Sequence, residues 1–135
     1  MRVGVVGFGA WGKFHARGWR KVAGAELAGI VAHGDGSAAE AAAEFPDVAI
    51  HRSLAALLDS GVEVADIVAP NHLHAAMVLA ALEAGCHVVV EKPLATSTAD
   101  LDRIVAAERG SGKRVSVEGR KVMNSSICFG RLFNV

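Results

Sequence analysis

The sequence predicts a doubly wound α/β fold, in which a mostly parallel sheet is flanked by helices on both faces. Short apolar runs rich in β-branched residues alternate with amphipathic or Ala/Glu-rich runs, and glycines and prolines separate them. The chain has 135 residues, of which 52% are hydrophobic, so that it can bury one core. Alternating strands and helices pair in parallel through right-handed crossovers, and the expected strand order is 3-2-1-4-5-6.

In the first half of the chain, three strands alternate with three helices. We expect strands over 2–7, 27–32 and 48–51, and helices over 11–22, 37–45 and 54–59. The apolar residues of the first helix would form a stripe that faces the sheet; they are Trp11, Phe14, Trp19 and Val22. Ser53 is a favourable N-cap for the third helix.

The second half of the chain repeats this alternation. We expect strands over 65–69, 87–90 and 114–117, and helices over 71–84 and 98–109. Asn71 can cap the first of these helices, and Gly85 ends it. The last helix would turn its apolar residues inward; they are Leu101, Ile104 and Val105.

Composition and charge exclude several classes of protein. Lys and Arg number 14 and Asp and Glu number 14, so we expect neither disorder nor a nucleic-acid partner held by bulk positive charge. No apolar stretch approaches the roughly 20 residues that span a bilayer, and Met1 and Arg2 lead into a short β-run rather than a secretory signal. Cys86 and Cys128 are too few for a disulfide scaffold and fit a reducing cytoplasm. Neither has His or Cys partners at metal-ligand spacing, so we expect no metal.

A glycine-rich run lies between the first strand and the first helix. It has the pattern G-x-G-x-x-G and reads Gly7-Phe8-Gly9-Ala10-Trp11-Gly12. The first glycine allows a tight turn, the second lets the backbone approach a pyrophosphate, and the third lets helix and strand pack closely. The helix N-terminus then offers N–H groups to phosphate oxygens. The run predicts the dinucleotide-binding turn of a Rossmann fold, and the alternative is a glycine-rich turn without a ligand.

The end of the second strand should select the cofactor, because an acidic residue there holds the ribose hydroxyls of NAD. The strand ends instead on Ala32 and His33, and the first acid is Asp35. His33 could donate to a 2′-phosphate, whereas Asp35 could still reach a ribose hydroxyl. Both NADP and NAD therefore remain candidates, with NADP slightly favoured. His33 is equally well explained as a solvated loop residue.

Three motifs occur together in one order along the chain. They are Gly7-x-Gly9-x-x-Gly12-x-x-His15, then Pro70-Asn71-His72-Leu73-His74, then Glu91-Lys92-Pro93. The combination resembles the glucose–fructose oxidoreductase and myo-inositol dehydrogenase family (Gfo/Idh/MocA), over about residues 2–117. The resemblance implies a domain that binds NAD(P) in an oxidoreductase acting on sugars or polyols. Each motif follows a predicted strand, where open α/β sheets bind ligands.

The resemblance assigns roles to the second and third motifs. It implies that Pro70, Asn71 and His74 lie along the cofactor, although Asn71 could be only a helix cap. It implies that Lys92 lies beside the nicotinamide, where an ammonium can bond the substrate hydroxyl and stabilise developing negative charge. Glu91 could orient this lysine, and Pro93 would fix the chain direction after it, with a cis bond in some family members. The alternative for Lys92 is a surface ion pair.

Family members normally continue into a second α/β domain that supplies most substrate contacts. We therefore expect an NAD(P)-binding Rossmann domain over 1–118 and, over 119–135, a C-terminal tail in which that second domain would begin. Catalysis by this chain alone is then doubtful, because positioning of the substrate supplies much of the rate. The exposed sheet edge and apolar surface would favour a homodimer.

Two other functions fit parts of the sequence. The chain could be a non-enzymatic module that binds a nucleotide or associates with itself. It could also bind S-adenosylmethionine on a similar glycine turn, but this function gives Glu91-Lys92-Pro93 no role. His15 would lie near the pyrophosphate or interact only with groups that face the solvent.

Overall fold

Six parallel strands form one sheet in the computed structural model, which describes residues 1–118. The strands, in chain order, are β1 Arg2–Val6, β2 Glu26–Val31, β3 Ala49–His51, β4 Val64–Ile67, β5 His87–Glu91 and β6 Val115–Glu118. Their order in the sheet is β3-β2-β1-β4-β5-β6, and every pairing is parallel. The predicted fold class and strand order are therefore confirmed. The expected tail over 119–135 lies outside the described residues, so the domain boundary stays a prediction.

Helices cover both faces of the sheet. They are α1 Ala10–Trp19, α2 Asp35–Glu44, α3 Leu54–Asp59, α4 His74–Glu83 and α5 Thr98–Ser111. Side chains alternate along each strand, so that Val5 packs with α1 and α2 on one face while Val6 packs with α3, α4 and α5 on the other. No helix within residues 1–118 is long and apolar enough to cross a membrane.

Helix α1 turns a different face to the sheet from the one predicted. Its buried residues are Gly12, His15, Ala16 and Trp19. Trp11 and Phe14, which we expected to face the sheet, are 49% and 43% exposed and pack edge to face against each other. The glycine turn fixes this rotation, because only a residue without a side chain fits where Gly12 meets the backbone of Gly7. The helix also ends at Trp19 rather than at 22.

Two further expectations about the helices are wrong. Asn71 does not cap α4, because Asn71–Leu73 form a short 3₁₀ turn and α4 begins at His74 without a side-chain cap. Leu101 is 41% exposed and borders a shallow groove, and Ile104 alone among the residues of α5 is buried. The prediction for Ser53 is confirmed, since its hydroxyl oxygen accepts the N–H of Ala56 at the start of α3.

Candidate functional site

A depression of about 580 Å³ lies at the carboxyl ends of the strands, beside the point where the strand order reverses between β1 and β4. Its volume is within the range that small-molecule and cofactor sites occupy. Most of the residues that the sequence singled out line this depression: Gly7, Gly9, Ala10, Trp11, Gly12, His33, Pro70, Asn71, Glu91 and Lys92. The fold thus brings the three motifs to one site.

The glycine turn supplies one wall, which is built from backbone. Gly7 has a φ of +105°, and a Cβ on it would lie 2.2 Å from the carbonyl oxygen of Val68. A Cβ on Gly12 would lie 2.0 Å from the carbonyl oxygen of Gly7, whereas a Cβ on Gly9 would meet nothing within 4 Å. Gly7 and Gly12 are therefore required by packing, whereas Gly9 faces open space above the turn.

The N-terminus of α1 opens into this space. Gly9 occupies the N-cap position without a side-chain hydrogen bond, and the first turn of the helix contains no acidic residue. The N–H groups of the first turn therefore lack the usual capping partner, and nothing in that turn neutralises the positive end of the helix dipole. This arrangement suits the oxygens of a diphosphate.

Four residues predicted to contact a cofactor do not line the depression: Phe8, Ala32, His74 and Pro93. Phe8 is buried and packs edge to face on Phe45, and Ala32 is buried at the end of β2. His74 is fully buried, with its Nδ1 2.7 Å from the carbonyl oxygen of Pro93 and its Nε2 2.7 Å from that of Ala69. His74 thus holds the loop after β4 against the loop after β5, which is a supporting position below the depression.

Five apolar lining residues escaped the sequence analysis. They are Val6, Val68, Ala69, Leu73 and Met77. Val6, Val68 and Ala69 lie at the ends of predicted strands, directly before a recognised motif. The sequence pattern there indicates only a buried strand. Met77 lies in the first turn of α4, which begins at His74.

The opposite wall carries the charged residues after β5. Lys92 is exposed, its bond to Pro93 is cis, and no carboxylate within residues 1–118 forms a salt bridge with its ammonium. Glu91 is directed elsewhere: its Oε2 accepts the backbone N–H of Lys92 at 3.3 Å, and its Oε1 lies 3.2 Å from Nε2 of His15. The proposed pairing of Glu91 with the lysine side chain is therefore absent from the described contacts.

His15 belongs to a buried polar cluster, contrary to both expected placements. Its side chain is fully buried, and its Nδ1 lies 2.8 Å from Oδ2 of Asp66, which also accepts the indole N–H of Trp19 at 2.7 Å. Burial alone would lower the pKa of His15, but attraction to and hydrogen bonds with Asp66 and Glu91 outweigh it and raise the pKa. Burial, together with Asp66, raises the pKa of Glu118 in the same cluster.

An arginine that the sequence analysis missed lies beside the end of β2. Arg52 follows β3, and its guanidinium donates to the carbonyl oxygens of Ala32 and Gly34 at 3.3 and 3.2 Å. It also pairs with Asp35, which is therefore turned toward the arginine. The signal in the sequence was the position of Arg52 directly after the strand that neighbours β2 in the predicted order.

Comparison with known proteins gives consistent results. A family model described as "Oxidoreductase family, NAD-binding Rossmann fold" matches residues 1–119. Inositol 2-dehydrogenase 1 from Saccharopolyspora erythraea is 40% identical over 122 residues, which are 88% of this chain and 36% of that protein. The chain thus spans about a third of the length of this curated relative.

Solved structures resemble the chain as well. The biliverdin reductase of Synechocystis sp. PCC 6803, in complex with biliverdin and NADP⁺, gives a TM-score of 0.84 at 30% identity over 98% of this chain and 42% of that one. The WlbA dehydrogenase of Bordetella pertussis, in complex with NADH and UDP-GlcNAcA, gives 0.80 at 31% identity over 87% and 34%. The chain therefore belongs to the Gfo/Idh/MocA family of oxidoreductases and forms an NAD(P)-binding Rossmann domain.

Proposed function

We propose that this chain is the cofactor-binding part of a longer oxidoreductase that transfers a hydride between a nicotinamide cofactor and a hydroxyl of a sugar or polyol. The observation that carries the proposal is the uncapped N-terminus of α1, which opens at Gly9 into a depression that also contains Lys92. A dinucleotide laid across this depression would place its diphosphate at the helix and its nicotinamide near the lysine. The curated relatives that are inositol 2-dehydrogenases support the substrate class.

Lys92 has the chemistry required at the nicotinamide end. Its ammonium is exposed at the wall of the depression and forms no salt bridge within the described residues. It can donate to the reacting oxygen of a substrate and stabilise negative charge that develops there. The remaining substrate contacts would come from outside the domain, so this chain alone would bind cofactor and give no turnover with sugars or polyols.

We further propose that NADP(H) is bound more tightly than NAD(H). His33 lines the depression, and the guanidinium of Arg52 lies beside the same strand end. The one nearby acid, Asp35, is paired with Arg52 and is thereby drawn away from a ribose. A 2′-phosphate could replace this carboxylate as the partner of the guanidinium, and a charge-assisted bond of this kind gives about a tenfold preference.

Calorimetric titration tests the proposal directly. The chain should bind NADP⁺ about tenfold more tightly than NAD⁺ and should not bind S-adenosylmethionine. Binding of S-adenosylmethionine alone would contradict the assignment, and equal affinities for the two dinucleotides would remove the proposed role of Arg52. Robust turnover with a panel of polyols would contradict the proposal that the chain needs further substrate-binding residues.

We propose that the protein forms a homodimer and that it is located in the cytoplasm. Trp11, Phe14 and Val117 are large exposed apolar residues, and the last of them lies on the edge strand β6. Such surface favours association. The free, buried thiol of Cys86 is compatible with a reducing compartment. A monomeric mass by light scattering at micromolar concentration would contradict the dimer. The non-enzymatic alternative, a module that associates with itself, also requires this dimer.

A further inference from the structure

The buried cluster around His15 contains more acceptors than a neutral histidine can satisfy. Both ring nitrogens face carboxylates: Nδ1 lies 2.8 Å from Oδ2 of Asp66, and Nε2 lies 3.2 Å from Oε1 of Glu91. A neutral imidazole carries one N–H and can donate to only one of them. Asp66 already accepts the indole N–H of Trp19 on the same oxygen, which identifies it as an acceptor.

We propose that His15 is a doubly protonated positioning residue, whose imidazolium ties α1 to Asp66 and Glu91 and thereby fixes Glu91 at the wall of the cofactor depression. The ring is fully buried, and its two contacts join α1 to β4 and β5. The effect on binding rests on the proposed function, whereas the protonation of the ring does not.

The charges around the ring support the second proton. Asp66 faces it from β4, Glu91 from β5 and Glu118 from β6. Both oxygens of Glu118 and Oδ1 of Asp66 have no hydrogen-bond partner within residues 1–118. With a neutral imidazole, the fully buried carboxylate of Asp66 would have no positive charge beside it, in the described part of the chain, to compensate its own. The raised pKa of His15 agrees with the charged form.

The cluster has a consequence for the cofactor site. Glu91 lines the depression with a carboxylate that is only 21% exposed, and His15 is the side chain that holds its Oε1. Loss of the Nε2 proton, with the Nδ1 proton still donated to Asp66, would free this carboxylate and remove one positive charge close to a site for an anionic ligand. Cofactor affinity should therefore fall as the pH rises through the pKa of His15.

Rising pH should lower the stability of the fold as well as the affinity for the cofactor. The folded state holds the His15 proton more tightly than the unfolded state does, because its pKa is raised from 6.5. The stabilisation is complete below the unfolded pKa and is lost as the pH rises through the folded pKa. Glu118 ionises more readily at high pH and adds repulsion, so Glu118→Gln must be measured beside the unmodified chain.

Nitrogen NMR of the histidine-labelled free chain tests the protonation. We expect two protonated ring nitrogens for His15 at pH 7, identified by their disappearance in His15→Gln. We also expect Glu91→Gln to lower the pH at which the second ring proton is lost, which keeps the test available if His15→Gln does not fold. A single protonated ring nitrogen at pH 7 would overturn the proposal.

Cofactor titration across pH tests the positioning. The affinity of the unmodified chain for NADP⁺ should fall about tenfold at alkaline pH, and His15→Gln should bind weakly at every pH. The matched control is His72→Gln, because His72 is exposed and does not line the depression. A pH profile that His15→Gln leaves unchanged would overturn the positioning role. Absence of NADP⁺ binding at all pH values would contradict the proposed function, and the NMR result would still decide the protonation.

Discussion

The two walls of the depression are built in different ways. The wall at the glycine turn consists of backbone, and two of its glycines meet backbone atoms at distances that no Cβ tolerates. The wall at Glu91 consists of side chains, and its geometry depends on the buried contacts of His15 with two strands. The first wall is therefore specified by six consecutive residues, whereas the second requires the assembled sheet. Substitutions should separate the two.

The largest effect should follow from Gly12→Ala. Its Cβ would lie 2.0 Å from the carbonyl oxygen of Gly7, so that helix and strand must move apart. We expect a loss of at least about 3 kcal/mol in the free energy of unfolding, measured by urea denaturation. Gly18→Ala is the matched control in the same helix, because its Cβ meets nothing within 4 Å and alanine favours helix by up to about 1 kcal/mol. Equal stabilities for the two variants would contradict the packing role of Gly12.

Gly9→Val should affect the ligand rather than the fold. A Cβ here meets no protein atom within 4 Å, but the side chain would occupy the space above the amides of the turn. We expect NADP⁺ affinity to fall more than about tenfold by calorimetry. The loss of stability should be about 1 kcal/mol, because valine is a poor N-cap residue. Retained affinity would mean that the ligand lies elsewhere.

Arg52→Leu should change the choice of cofactor. We expect a loss of about tenfold in affinity for NADP⁺ and almost none for NAD⁺, because only the former carries a phosphate for the guanidinium. The exposed pair with Asp35 contributes at most about 1 kcal/mol to stability. Arg103→Leu removes another exposed arginine, on α5, and serves as the control. Parallel losses for both cofactors would assign Arg52 a structural role instead.

The smallest effect on binding should come from Lys92→Ala. The ammonium is exposed and forms no salt bridge within the described residues, so its removal disturbs neither the fold nor the diphosphate wall. We expect NADP⁺ affinity to change by less than about twofold in calorimetry, in line with the small energies of exposed charges. A loss as large as that of Gly9→Val would show that Lys92 holds the cofactor itself.

The sequence predicted the parts of the molecule that depend on local patterns. Strand order, the glycine turn and the cap at Ser53 follow from short-range rules of alternation and turn chemistry. The rotation of α1 did not, because it is set by a backbone contact between Gly7 and Gly12 rather than by the apolar stripe. The amphipathic pattern instead favoured Trp11, which is half exposed.

The residues around the charged wall were the least predictable. His15, Asp66 and Glu91 lie far apart in sequence and meet only in the folded sheet, where His15 on α1 reaches Asp66 on β4 and Glu91 on β5. The role of Arg52 could not be predicted for the same reason, since its contact with Ala32 depends on the pairing of β2 with β3. Long-range side-chain contacts of this kind have no signature in a single sequence.

The most direct measurement is a crystal structure of the chain with NADP⁺. The diphosphate should lie within hydrogen-bond distance of the backbone N–H groups at the start of α1, above Gly9, with the nicotinamide toward Lys92. A dinucleotide bound at another surface, or a turn filled by the protein's own side chains, would contradict the account.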